Sequence, residues 1–317
     1  MTGCAPWRAG LGFHPIALPM LHAISASILW GLFPLYFKLL KEIPSFDIVV
    51  HRLFWSCVFL VAVLAWRRQW GWVAEVRQRP MVVAGFLLSA LLLTGNWTLY
   101  VWAVNAGRIV DTSLGYFMSP LVSVFMGYLI LKERMRPLQW LAVFLALGAV
   151  IWLTIANGSL PWISLLIALT FAFYGLLRKT AHLGALEGLS LETLLMLPLV
   201  LVILGLDTLR DSNAFTHAST SARILLALSG PITAVPLLLF AHGARRIPLS
   251  MLGLMQYISP TIQLLGGVLI YGEPFAGARA IGFCVIWVAL AVYSAEGLWR
   301  YLRTRAQSSA EPSAGGA

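Results

Sequence analysis

Arg52 and Glu192 each stand inside an apolar run of the sequence, and they are 140 positions apart. A charge in hydrocarbon is costly, so intramembrane ionisable residues pair with one another, meet a charged solute or relay protons. Arg52 suits a carboxylate, because its guanidinium is a planar fork of donors that stays charged. Glu192 and His51, the latter adjacent to Arg52, are the candidates for proton coupling. The plainer alternative places both charges near helix ends, from which long side chains snorkel to water, and makes His51 an interfacial histidine.

A second constellation is polar and aromatic. "GNWTLYVWAVN" puts Asn96, Trp97, Tyr100 and Asn105 in one apolar run. An amide in hydrocarbon seeks a partner and aromatic rings hold flat or cationic solutes, so this segment, with Trp30 and Tyr174, is expected to line a cavity. For Asn96 the alternative is an interhelical hydrogen bond. "LGYFMSPLVSVFMGYLILKE" at 114–133 and "LMQYISPTIQLLGGVLIYGE" at 254–273 then align without gaps, again at an offset of 140, and share Ser119/Ser259, Pro120/Pro260, Gly127/Gly267 and Glu133/Glu273 among other matches. This is the mark of an internal repeat. Proline removes a backbone N–H and disturbs the carbonyl four residues earlier, here on Tyr116 and Gln256. Inside a membrane such groups persist only where protein or water meets them. The kinks at Pro120 and Pro260 therefore predict a polar path lined by Tyr116, Ser119, Gln256, Tyr257 and Ser259, unless they serve packing alone. Gly115, Ser119, Ser123 and Gly127, spaced by four, read as a face for close helix approach.

The elements that position these groups follow from composition. The chain has 317 residues, 60% hydrophobic and 11% charged, with mean hydropathy +0.84. Its natural solvent is a bilayer, and spans of about 20 residues are expected near 20–37, 46–66, 81–104, 112–131, 138–156, 160–177, 189–206, 223–243, 249–271 and 278–298. The net charge of +10 is scattered at the ends of these runs, which fits membrane topology rather than nucleic acid. Fifteen Lys and Arg fall in connectors on one side. Six fall on the other: Lys38, Lys41, Arg108, Arg210, Arg223 and Arg279. Both termini are thus expected in the cytoplasm, with the chain multi-pass in a bacterial-type inner membrane. The repeat unit is five spans, an odd number, so the two halves must be inverted relative to each other, as in many secondary transporters. The expected fold is all-α, ten transmembrane helices in two inverted five-helix repeats: 1–19 an N-terminal extension, 20–157 the first repeat, 158–298 the second, 299–317 a disordered cytoplasmic tail. Met20 is an alternative start to Met1. In this topology Arg52 and Glu192 lie toward opposite faces, so Asp111 is the expected neighbour of Arg52, and Arg246 or Lys179 that of Glu192, as gating or coupling pairs.

Other function classes are poorly served. The histidines are dispersed and no HExxH occurs, no GxxxxGK[ST] offers a nucleotide site, and Lys38, Lys41, Lys132 and Lys179 sit at span ends where retinal would not attach. Cys4, Cys57 and Cys284 have no metal-ligand spacing. No cofactor, metal or catalytic residue is expected.

"LILKERMRPLQWLAVFLALGAVI" and "LIYGEPFAGARAIGFCVIWVALAV" resemble the ends of the two EamA repeats of the drug/metabolite transporter superfamily. Within it, "ILWGLFPLYFKLL", "VVHRLFWS", "FAFYGLLRK" and "QYISPT" resemble RarD-type proteins. The resemblance covers residues 21–297. It implies ten helices around a central path and export of small molecules, chloramphenicol-type compounds or amino-acid-like metabolites, with a small-molecule substrate and the lipid bilayer as partners and a homodimer left open. A receptor, a structural membrane protein or a membrane-embedded enzyme is the alternative. One departure is Lys132-Glu133-Arg134 in the first repeat where the second has Gly272-Glu273-Pro274.

Overall fold

The computed structural model describes residues 17–132, 134–244 and 255–310. Among them every regular element is a helix: α1 (Ala17–Gly31), α2 (Phe33–Lys38), α3 (Ser45–Arg67), α4 (Gly71–Arg77), α5 (Pro80–Asn105), α6 (Ile109–Leu131), α7 (Pro137–Asn157), α8 (Trp162–Thr180), α9 (Ala185–Leu209), α10 (Ala214–His217), α11 (Thr220–Ala244), α12 (Ile258–Leu265) with a π-helical turn over Gly266–Ile270, and α13 (Ala278–Ala310). In hydrocarbon a helix satisfies its own backbone, which is why apolar runs of this length fold this way. Proline stands at the start of α5 and α7, where its missing N–H costs nothing.

Among the described residues eight stretches are long and apolar enough to cross a bilayer, with α1 and α2 counted as one. The sequence predicts ten. The remaining two expected spans are shorter apolar helices, Trp162–Arg178 and Ile258–Ile270. The second follows an interruption at Tyr257, beside Gln256, whose carbonyl is the one that Pro260 leaves without its i+4 donor; the Tyr257 carbonyl accepts from the Thr261 N–H at 3.2 Å. Pro120, by contrast, sits within a continuous α6. The expected tail also differs: α13 runs on to Ala310, because "LWRYLRTRAQ" is built of good helix formers and the next proline is Pro312.

Packing follows small residues. A side chain on Gly115 would lie 2.8 Å from the Ser164 carbonyl, so α6 and α8 touch backbone to backbone, and Gly230 brings α11 within 2.3 Å of the Trp55 backbone on α3 by the same measure. Gly31 meets Ile262 of α12 in like manner. The most extensive helix pairings are α6 with α8, α7 with α13, α3 with α11, α1 with α11, α5 with α8 and α3 with α9, while α12 lies between α1 and α6. Phe144, Leu147, Ile151 and Ile155 on α7 are exposed, as an apolar face toward lipid requires.

One tie joins distant parts of the chain. Glu273 accepts the backbone N–H groups of Ile109 and Val110, both at 2.8 Å, and so caps α6, whose own preceding residue offers no side-chain cap. Burial pushes this carboxyl above the usual carboxylate range, against the pull of the two amide donors.

Candidate substrate cavity

A cavity of about 410 Å³ opens between the helices. Trp30 of α1 and Phe33 of α2, Arg52 of α3, and Leu93, Trp97 and Tyr100 of α5 form one part of its wall. Tyr116, Ser119, Pro120 and Ser123 of α6 face Gln256, Tyr257, Ser259, Pro260 and Gln263 around the start of α12. The wall is completed by Phe171, Tyr174, Gly175 and Arg178 of α8, Ala185 and Leu189 of α9, and Thr233, Leu237 and Phe240 of α11.

Many of the lining residues fall in pairs at a fixed spacing in the sequence. The four α6 residues recur, each at an offset of 140, as Gln256, Ser259, Pro260 and Gln263, and Leu93, Trp97 and Tyr100 recur as Thr233, Leu237 and Phe240. At an offset of 141, Trp30 and Phe33 recur as Phe171 and Tyr174.

Charge is distributed differently. Arg52 is 2% exposed. Its Nε donates to Thr233 Oγ1 at 2.7 Å, its guanidinium carbon lies 4.0 Å from the centre of a Trp97 ring and about 5 Å from those of Phe33 and Phe37, and its Nη1 is buried with no hydrogen-bond partner. Asp111 does not reach it. That carboxylate is held by Arg108 one helical turn away, at 2.7 Å, because the first turn of α6 aims it along its own helix. Glu192, also 2% exposed, accepts from Ser89 Oγ at 2.5 Å and lies 3.8 Å from Arg178 Nη1, with the Tyr174 hydroxyl beside it. Its partner among the described residues is Arg178, which shares the cavity-facing side of α8 with Phe171 and Tyr174; the Lys179 side chain lies outside the described residues. Arg246 lies outside the described residues.

Three further residues singled out in the sequence lie outside the cavity wall. Asn96 does not line the cavity: its amide donates to the Ile167 carbonyl at 3.1 Å and to Thr170 Oγ1 at 2.8 Å, while its oxygen accepts from Tyr116 at 3.2 Å. It ties α5, α8 and α6 together from behind the Tyr116 ring. Asn105 is also outside the wall and donates to Ser45 Oγ at 3.3 Å. His51 packs on Phe215, 5.5 Å between ring centres, away from the cavity. The stripe of small residues divides its work: Gly115 meets α8 and Ser119 faces the cavity, its hydroxyl returned to the Gly115 carbonyl at 3.0 Å. So the structure gathers Trp30, Arg52, Trp97, Tyr100, Tyr116, Ser119, Pro120, Tyr174, Gln256, Tyr257, Ser259 and Pro260 into one wall and leaves Asn96, Asn105, His51, Asp111 and Glu192 out of it. Sequence reading missed Phe33, Arg178, Thr233 and Gln263. Adding 140 to Leu93 and Ser123 would have pointed to the last two.

The wall has rings, hydroxyls, amides and two cations, a set suited to holding a small organic solute rather than to making or breaking its bonds. Comparisons with known proteins identify the family. The profile of the EamA-like transporter family matches residues 17–155. A protein of Pseudomonas aeruginosa named an uncharacterized transporter is 47% identical, over 88% of this chain and 94% of its own. Protein RarD of Escherichia coli is 39% identical over 90% of this chain and 96% of its own, and the chloramphenicol-sensitive protein RarD of Pseudomonas aeruginosa 32% identical over 86% and 91%. One solved crystal structure, 17% identical, superposes with a TM-score of 0.56 over 86% of this chain and 96% of the other, a likeness of fold. This is a multi-pass membrane protein, and by its sequence relatives it belongs to the EamA-like transporter family, among the RarD-type proteins.

Proposed function

We propose that this chain is a secondary transporter that carries small organic molecules out of the cell by alternating access. Its working parts are two inverted five-helix halves, 20–157 and 158–298, with α8 and the segment through α12 serving as the two shorter crossings and both termini in the cytoplasm. The observation that carries the reading is the paired wall: residues from each half border the same cavity at a sequence offset of 140 or 141. The helix contacts support it, since exchanging the halves maps α6–α8 onto α12–α1, α5–α8 onto α11–α1 and α3–α11 onto α9–α5, all of them contacts in the fold. Two halves related in this way can exchange inward-open and outward-open arrangements around one site.

On this orientation the lining residues run from the helix midpoints toward the cytoplasmic ends of α8, α9 and α11, which suits loading from inside. The external end is tied by Glu273 on α6, by the Tyr36 hydroxyl donating to the Leu225 carbonyl, and by Lys38 over the Tyr271 ring at 5.3 Å. Flux in proteoliposomes of purified protein, screened across organic acids, amino acids and amphipathic antibiotics with and without a pH gradient, tests the function. Saturable flux is expected. Pro120→Ala and Pro260→Ala should each lower it several-fold with folding retained, because each proline lies in the cavity wall and withholds a backbone N–H there. Unchanged flux in both would refute the role given to the kinks, and no flux of any solute by folded protein would refute transport.

A further inference from the structure

The cavity wall is paired between the halves in position but not in charge. Residue 52 is arginine and its counterpart at position 192 is glutamate, which turns away to Ser89 and Arg178. That ion pair accounts for the Arg178 charge. Arg52 has no such account. Among the described residues no Asp or Glu borders the cavity, and the Arg52 guanidinium has one neutral hydroxyl, the faces of three rings and a buried Nη1 without a hydrogen-bond partner.

A guanidinium carries five N–H donors, and burial in a dry site is costly unless they are used and the charge is met. Stacking on Trp97 offsets part of that cost. What the site lacks is an anion with two acceptors in a plane, which is what a carboxylate presents to an arginine fork. Beside the fork, Phe33, Trp97, Tyr100 and Tyr116 provide aromatic surface for an apolar body. An ammonium group would find no carboxylate on the wall.

We propose that Arg52 anchors the acid group of a small organic monoanion whose aromatic or apolar body rests on these rings, so that carboxylates without an amine are preferred to amino acids, amides and amines. This rests on the transport reading for its meaning in the cell, and its test separates the two. Wild-type protein in lipid nanodiscs is titrated calorimetrically with three ligands of one body: 3-phenylpropanoate, 3-phenylpropanamide and 3-phenylpropylamine. The acid should bind at least about tenfold more tightly than either of the others. Arg52→Gln should cost about ten- to a hundredfold in acid affinity, the span of a charge-assisted hydrogen bond, and leave the amide unchanged, while Arg52→Lys should retain part. Equal binding of acid and amide would overturn the proposal on wild-type protein alone, whatever the variants do. So would unaltered acid affinity in folded Arg52→Gln, or failure of all three ligands to bind. Binding of the acid without its flux in proteoliposomes would sink the transport reading and keep the anion site. Flux of the acid indifferent to Arg52→Gln would do the reverse.

Discussion

Arg178 and Glu192 pair where α5, α8 and α9 meet, and Ser89 donates to the carboxylate. Removing one member of a buried pair leaves a bare charge, which costs about 3 kcal/mol or more, whereas removing both costs much less. Arg178→Met should therefore lower unfolding stability in detergent by about 3 kcal/mol, and adding Glu192→Gln should recover most of it, as thermal and denaturant unfolding would read. Hydropathy alone marks Glu192 and Arg52 as anomalies, and that much was legible from sequence. Their partners were not. Counting charges bears on which side of the membrane a residue is expected to lie, not on the rotation of its helix, and rotation decides that Arg52 meets Thr233 rather than Asp111. The same blindness put Asn96 in the cavity, when a turn about α5 sends its amide to the carbonyl of Ile167 instead.

At the scale of elements, spans and their order could be read from apolar run length, and the breaks from proline. The helix interruption at Tyr257 and the π-helical turn after Leu265 depend on tertiary contacts and could not be placed to the residue. Nor did the sequence reveal what Glu273 does, since the carboxylate acts on a helix over 160 positions away. Its loss leaves two N–H groups at the start of α6 unserved. Glu273→Ala should lower stability by about 1 kcal/mol, as other lost caps do. It should also speed modification of a cysteine introduced at Asn105 by an impermeant thiol reagent added outside, because the tie that seals that end is gone. Unaltered labelling would show that the cap is structural only.

For the molecule as a whole, the offset of 140 was visible in the sequence as matched prolines, and the cavity follows it well beyond those matches, to Leu93/Thr233 and Tyr100/Phe240, where the residue types have diverged. Position is kept by the repeat while chemistry is not, so sequence matching saw only part of the wall. Charge is where the halves differ most, and the difference has an electrical consequence. A lone guanidinium held between two barriers is a fixed charge in the membrane field, and each elementary charge moved across it exchanges about 2.3 kcal/mol per 100 mV. With a monoanion seated on Arg52 the moving body is neutral, and without one it is a cation. Exchange of labelled acid for unlabelled acid should then be indifferent to a potassium-diffusion potential imposed on proteoliposomes, whereas net movement, which needs the empty carrier to return, should quicken or slow with the sign of the voltage.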